Sequence, residues 1–139
     1  MLPSISTSRC ALALLAALTI AGCTDWSNAA RATVGEYILL LKTDPAPAQV
    51  GRTATLSLGI HDARDRTVRA CVASLRQFMP EHEMSSDDTL VRMEETRSGV
   101  YSAKSAEFSM GGDWRIEVSF DCGSAPQQAH FDLHLDWPE

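Results

Sequence analysis

An all-β sandwich is the fold class this sequence predicts, and three observations predict it. Several segments alternate apolar and polar residues with the two-residue period of a half-buried strand, most cleanly 53–61, 114–122 and 130–137. Turn-forming residues interrupt these segments about every ten residues. Helical periodicity is nowhere sustained beyond the N-terminal segment. Strands of this kind at this spacing fold as two packed sheets, here of about seven strands.

The first element is a leader. Residues 1–9 are polar with one charge, Arg9, and residues 10–20 (CALALLAALTI) form a continuous apolar run. That run is too short to cross a bilayer, which takes about 20 apolar residues. Ile20-Ala21-Gly22-Cys23 then places small residues before a cysteine, followed by polar Thr24 and Asp25. The sequence of features resembles the bacterial lipoprotein signal. That resemblance implies cleavage after residue 22 and lipidation of Cys23, a membrane tether with no spanning helix. Ordinary secretory cleavage nearby is the alternative. Thr24 is not the aspartate that retains such lipoproteins at the inner membrane, so a periplasm-facing outer-membrane location is expected. Residues 23–34 read as a polar tether that lets the domain stand off the lipid. Trp26 in that tether reads as an exposed aromatic, or as one seated among headgroups.

The domain then occupies 35–139. Residues 36–43 (EYILLLKT) give the first strand, ended by Asp44-Pro45-Ala46-Pro47, because proline breaks a ladder. Residues 53–61 place Ala54, Leu56, Leu58 and Ile60 on one side. A charged turn follows at 62–66, and 67–78 is a less regular strand. Residues 79–89 are irregular. Short strands are expected at 90–95 and 100–108, around a turn at Arg97-Ser98-Gly99. Met110-Gly111-Gly112-Asp113 connects to 114–122, and 130–137 closes the domain with Phe131, Leu133, Leu135 and Trp137 inward.

Composition excludes some classes. The 139-residue chain has a formal charge of −6, and losing Arg9 with the leader takes it to −7. An acidic domain has no electrostatic footprint for nucleic acid and is repelled by anionic lipid. The sequence has no phosphate-binding glycine loop of the usual forms, no His-Glu-x-x-His and no Gly-x-Ser-x-Gly. Its carboxylates are scattered, so no general acid/base pair stands out. An enzyme is not expected.

Candidate chemistry gathers in Met79-Pro80-Glu81-His82-Glu83-Met84. Thioether sulfur is a soft ligand that selects Cu(I), and imidazole suits copper. Pro80 denies a ladder hydrogen bond and keeps Met79 extended, so the segment is expected to leave the sheet and expose its side chains. His82 and Met84 point the same way in extended backbone. Met110, in another connection, could supply a fourth ligand. The plainer alternative is that Met79 and Met84 plug the end of the sandwich and His82 is solvated. His130, Asp132, His134 and Asp136 share a strand face, but the two histidines lie roughly 13 Å apart and cannot chelate one ion. That face reads as solvated, and His61-Asp62 as a turn. Cys122 falls in phase with Trp114, Ile116, Val118 and Phe120. Cys71 falls out of phase with Ala70 and Val72, so a Cys71–Cys122 disulfide asks for a bulge; copper thiolate ligation is the other use of the pair.

The order of these motifs resembles the YtkA-like/FixH-like family of small extracytoplasmic bacterial domains. The blocks are Tyr37 with the first strand, PAPAQVG at 45–51, TATLSLGIHDA at 53–63 and TVRACV at 67–72. Met79-Pro80 with His82, Gly99-Val100-Tyr101 and FSMGGDW at 108–114 follow, the last being the most specific. The resemblance spans about 36–121 and implies an immunoglobulin-like β-sandwich on a lipoprotein or membrane anchor. FixH-like members are linked to assembly of copper-containing respiratory oxidases and to cation transport. The positions carried over are Met79, His82 and Met110. Relatives often show Met-Pro-x-Met-x-His, whereas here His82 precedes Met84, and a lipid anchor stands in place of the FixH-like membrane helix. The expectation is a lipid-anchored periplasmic protein that binds or transfers Cu(I) through Met79, His82, Met84 and Met110, serving a membrane or envelope cuproprotein. The alternative is a metal-free module that docks an envelope protein complex.

Overall fold

The computed structural model describes residues 24–82 and 90–139. Among these residues the chain forms nine strands and no helix: β1 (Ala30–Val34), β2 (Tyr37–Asp44), β3 (Thr55–Asp62), β4 (Val72–Phe78), β5 (Val91–Arg92), β6 (Glu94–Arg97), β7 (Val100–Lys104), β8 (Gly112–Asp121) and β9 (Pro126–Leu135). They make a five-stranded sheet in the order β1-β2-β3-β7-β6 and a four-stranded sheet in the order β5-β4-β8-β9. Every pairing is antiparallel. The fold is therefore the β-sandwich that alternation predicts.

The core sits where the inward rows of the two sheets meet. Leu39 and Leu41 of β2 and Leu56, Leu58 and Ile60 of β3 face Ala73 and Leu75 of β4, with Ile116, Val118 and Phe120 of β8 and Phe131 of β9; all are buried. The Tyr37 and Phe120 rings meet edge to face across the sheets at 5.4 Å, and Phe108 and Trp114 do the same at 5.3 Å.

Three sequence expectations change. Residues 30–34 are not tether: they form β1, paired with β2 from Ala30↔Leu41 to Val34↔Tyr37. Their small and polar side chains hide an edge strand whose partner row, Leu39 and Leu41, carries the apolar signal. The stretch 90–95 is not one strand. β5 pairs with β4 in one sheet and β6 with β7 in the other, and Met93 between them is buried as the chain crosses. The strand read over 67–78 begins only at Val72. These changes account for nine strands rather than about seven.

The chain crosses from β3 to β4 through residues 63–71, and this crossing is tied down three times. The Tyr101 hydroxyl donates to the Val68 carbonyl and accepts the Cys71 N–H, both at 3.0 Å. The Glu95 carboxylate accepts the Ala70 N–H at 3.2 Å and the Gly99 N–H at 3.1 Å. Cys71 and Cys122 form a disulfide, with Cα atoms 4.2 Å apart. No bulge is needed. The inward row of β4 is Ala73, Leu75 and Gln77, whereas Val72 is 55% exposed, so Cys71 is already in phase with the core.

Two ends result. The disulfide end carries Cys71–Cys122, the 62–66 turn and Gly99. The methionine end carries 45–54, 79–82 and 105–111. These last connections are stitched together: Ala54 N–H donates to the Ser105 Oγ at 2.8 Å, Gly51 N–H to the Phe108 carbonyl at 2.8 Å and Phe108 N–H to the Arg52 carbonyl at 3.1 Å.

Two stability outcomes follow from the tied crossing. Reducing the disulfide, which spans 51 residues, should destabilise the fold by about 4 kcal/mol on chain-entropy grounds, read from denaturant unfolding with and without a reductant. Tyr101→Phe leaves a half-buried N–H and C=O without their partner and should cost about 1 kcal/mol, read the same way with the disulfide intact.

Candidate functional site

The methionine end is built by two connections that converge. In the first, the inward row Ala73, Leu75, Gln77 continues to Met79, which is 8% exposed and belongs to the core. This corrects the expectation that Met79 leaves the sheet and is exposed: Pro80 turns the chain only after the two-residue period has sent Met79 inward. The His82 N–H then donates to the Met79 carbonyl at 3.1 Å, closing a short turn that leaves Pro80, Glu81 and His82 exposed. Met84 lies outside the described residues, as does Cys23.

In the second connection, Gln77 is a buried polar residue on the inward row and clasps the backbone of Ala106. Its Nε2 donates to the Ala106 carbonyl at 3.2 Å, and its Oε1 accepts the Ala106 N–H at 3.1 Å. The chain then reaches Met110, which is half-buried against the core and whose carbonyl accepts the Trp114 Nε1–H at 2.9 Å. Gly111 and Gly112 follow, and neither could carry a side chain as the chain stands. A Cβ on Gly112, whose φ is +120°, would lie 3.0 Å from the Met79 terminal methyl. A Cβ on Gly111 would lie 2.8 Å from the Trp137 ring. Successive residues face opposite ways, so Met79 closes on one side of this backbone and Trp137 on the other. Trp137 is 65% exposed rather than inward as expected.

The structure thus brings Met79 to the Gly112 backbone, two residues after Met110, at one end of the sandwich, and sets His82 on the exposed rim of the same end. Met79 and Met110 present thioethers, the soft donors that favour Cu(I), and His82 an imidazole. Among the described residues, no three His, Cys, Asp or Glu side chains are grouped to hold a metal ion. Gln77 and Trp137 are the contributors that sequence reading missed. A polar residue in an inward phase is the signal that could have found Gln77.

The histidine-bearing face of β9 is solvated and internally paired. Arg76 meets Glu117 at 2.9 Å, Arg115 meets Asp132 at 2.9 Å and His134 meets Asp113 at 2.7 Å, with Asp136 at 3.5 Å from the other ring nitrogen. Exposed pairs of this kind contribute little each. Pro80 and Glu81 share a surface depression of about 360 Å³ with Asp113 and His134, so this ladder borders the methionine end. His61 is not simply in a turn: it is buried, its Nδ1 lies 3.0 Å from Asp65, and its ring meets that of Trp26 edge to face.

The sequence matches the YtkA-like family over residues 31–119, and the chain belongs to that family. The family is extracytoplasmic, and the disulfide suits an oxidising compartment. A solved structure of a DUF4785 family protein from Legionella pneumophila is similar at 15% identity, with a TM-score of 0.46 over 74% of this chain. The match covers 29% of that protein. No curated protein matches the chain significantly.

The hydrogen bond that His134 Nδ1–H donates to the Asp113 carboxylate, with the charges of Asp113 and Asp136, raises the His134 pKa above the ordinary histidine value. A raised folded-state pKa means the pair stabilises the fold at acid pH and that this contribution fades as pH rises through the raised value. NMR titration should show His134 titrating above the ordinary histidine value, and Asp113→Asn should lower it. An unchanged His134 titration in Asp113→Asn contradicts the pairing.

Proposed function

We propose that this is a lipid-anchored periplasmic protein that binds Cu(I) at the methionine end and passes it to a membrane or envelope cuproprotein. Met79, His82 and Met84 hold the ion from one connection, and Met110 closes the site from the other. The observation that carries this reading is the convergence of the two methionine-bearing connections, with the Met79 methyl packed at Gly112, two residues from Met110. Donor chemistry agrees: thioethers and an imidazole make a soft set, and a low-coordinate ion accepts three or four of them. The exposed rim position of His82 favours exchange of the ion over storage. Cleavage after residue 22, lipidation of Cys23 and an outer-membrane location belong to the same proposal and rest on the leader's sequence.

A second reading has its own support. Burial of Met79 makes it a core plug, and Trp137 exposes a large aromatic surface at the same end. Methionine and tryptophan are adaptable apolar contacts, which suits a metal-free module docking an envelope partner.

Titration with Cu(I) under ascorbate, which leaves Cys71–Cys122 bonded, separates the two readings. The copper reading expects saturable binding of one ion per chain, and at least about tenfold weaker binding in the His82→Ala, Met84→Ala double variant, a loss of about 1.4 kcal/mol. Equal affinity in the double variant sinks it. Absence of binding together with a co-purifying envelope protein favours the docking module.

A further inference from the structure

The residues just after Cys23 do not stand off the domain; they are strapped to it. Trp26 lies on the outer face of the five-stranded sheet, over Gly59 and edge to face with His61 at 6.5 Å between ring centroids. A Cβ on Gly59 would fall 2.7 Å from the Trp26 ring, so only glycine in that strand leaves room for the indole. The Lys42 ammonium donates to the Asp25 carbonyl. The Asp25 carboxylate accepts the Ser27 N–H at 2.9 Å, and Ala29 N–H donates to the Trp26 carbonyl at 3.1 Å, turning the chain into β1.

The strap also fixes where the chain leaves the domain. Thr24 borders a surface cavity of about 550 Å³ with Lys42, Asp44, Ala46 and Thr55. Asp44 pairs with Thr55, and Thr55 with Lys104, immediately before the Ala54–Ser105 bond that stitches the methionine end. Cys23 immediately precedes Thr24 in the sequence. A free linker of twelve residues would instead reach about 19 Å and let any face approach the membrane.

We propose that the Trp26 strap holds the methionine end against the bilayer that carries the Cys23 lipid, so that the surface this end meets is a membrane. The proposal rests on the lipoprotein reading of Cys23 and is independent of copper. Trp137, exposed at that end, has the amphipathic ring that suits a headgroup layer. Charge does not set this orientation, because Glu81, Glu107 and Asp113 at the same end disfavour anionic headgroups.

The test uses protein purified from membranes with its anchor and reconstituted in phosphatidylcholine vesicles bearing a headgroup energy acceptor. With Cys23 acylated and Cys71 bonded to Cys122, a thiol introduced by Glu107→Cys at the methionine end, or by Arg64→Cys at the disulfide end, is the one that takes a donor dye. The two ends are separated by a ten-residue strand, about 34 Å long, so transfer from the Glu107→Cys label should be at least twofold more efficient. Trp26→Ala, or Gly59→Ala, which displaces the indole while keeping every other side chain, should narrow that difference. Equal transfer from both labels with the anchor verified by mass overturns the orientation and leaves the lipoprotein reading standing. An unmodified Cys23 overturns both.

Discussion

The register between β4 and β8 is the constraint on which the rest of this structure depends. Cys71 and Cys122 are bonded at one end of the pair, and Val72↔Asp121 through Phe78↔Arg115 follow without a break. A strand repeats every two residues, so a slip of one would turn its whole inward row out to solvent. The covalent tie and the Tyr101 and Glu95 bonds to the same crossing make that slip costly. The consequence appears at the far end. The next step of the register carries Met79 to Trp114, beside the Gly112 backbone that its methyl touches. A constraint at the disulfide end thus delivers a thioether to the methionine end.

The second connection arrives by a different device. Gln77, one turn of the pleat before Met79, binds both polar groups of Ala106. A buried amide with both sides satisfied costs little, whereas a lone one would be expensive. The same strand therefore positions both methionine-bearing segments, one by its own direction and one by its amide. Two adjacent glycines then let Met79 and Trp137 close on either side of the backbone leading from Met110.

Much of this was legible in the sequence. The alternation of 53–61 and 114–122, and of β9 as far as Leu135, gave the strands and their inward rows, because in those segments hydropathy and orientation agree. β4 is harder because the two conflict: exposed Val72 looks like core, and buried Gln77 looks like surface. Taking Val72 as inward put Cys71 out of phase and made the disulfide seem to need a bulge. Met79 looked exposed for a different reason: Pro80 ends the ladder, but it turns the chain only after Met79 has already pointed inward. β1 was hidden for another reason. Its alanines and polar residues gain their place from Leu39 and Leu41 on the neighbouring strand, and no local pattern reports that. Trp26 and Trp137 were misplaced because their seats are glycines distant in sequence, Gly59 for one and Gly111 for the other.

The proposed soft site, assembled from two connections, has a direct spectroscopic signature. X-ray absorption at the copper edge of the Cu(I)-loaded protein, with the disulfide intact, reports the atoms that touch the ion. Our account predicts a shell dominated by sulfur, with two or more thioethers, together with one imidazole nitrogen. A first shell of nitrogen and oxygen alone would contradict it.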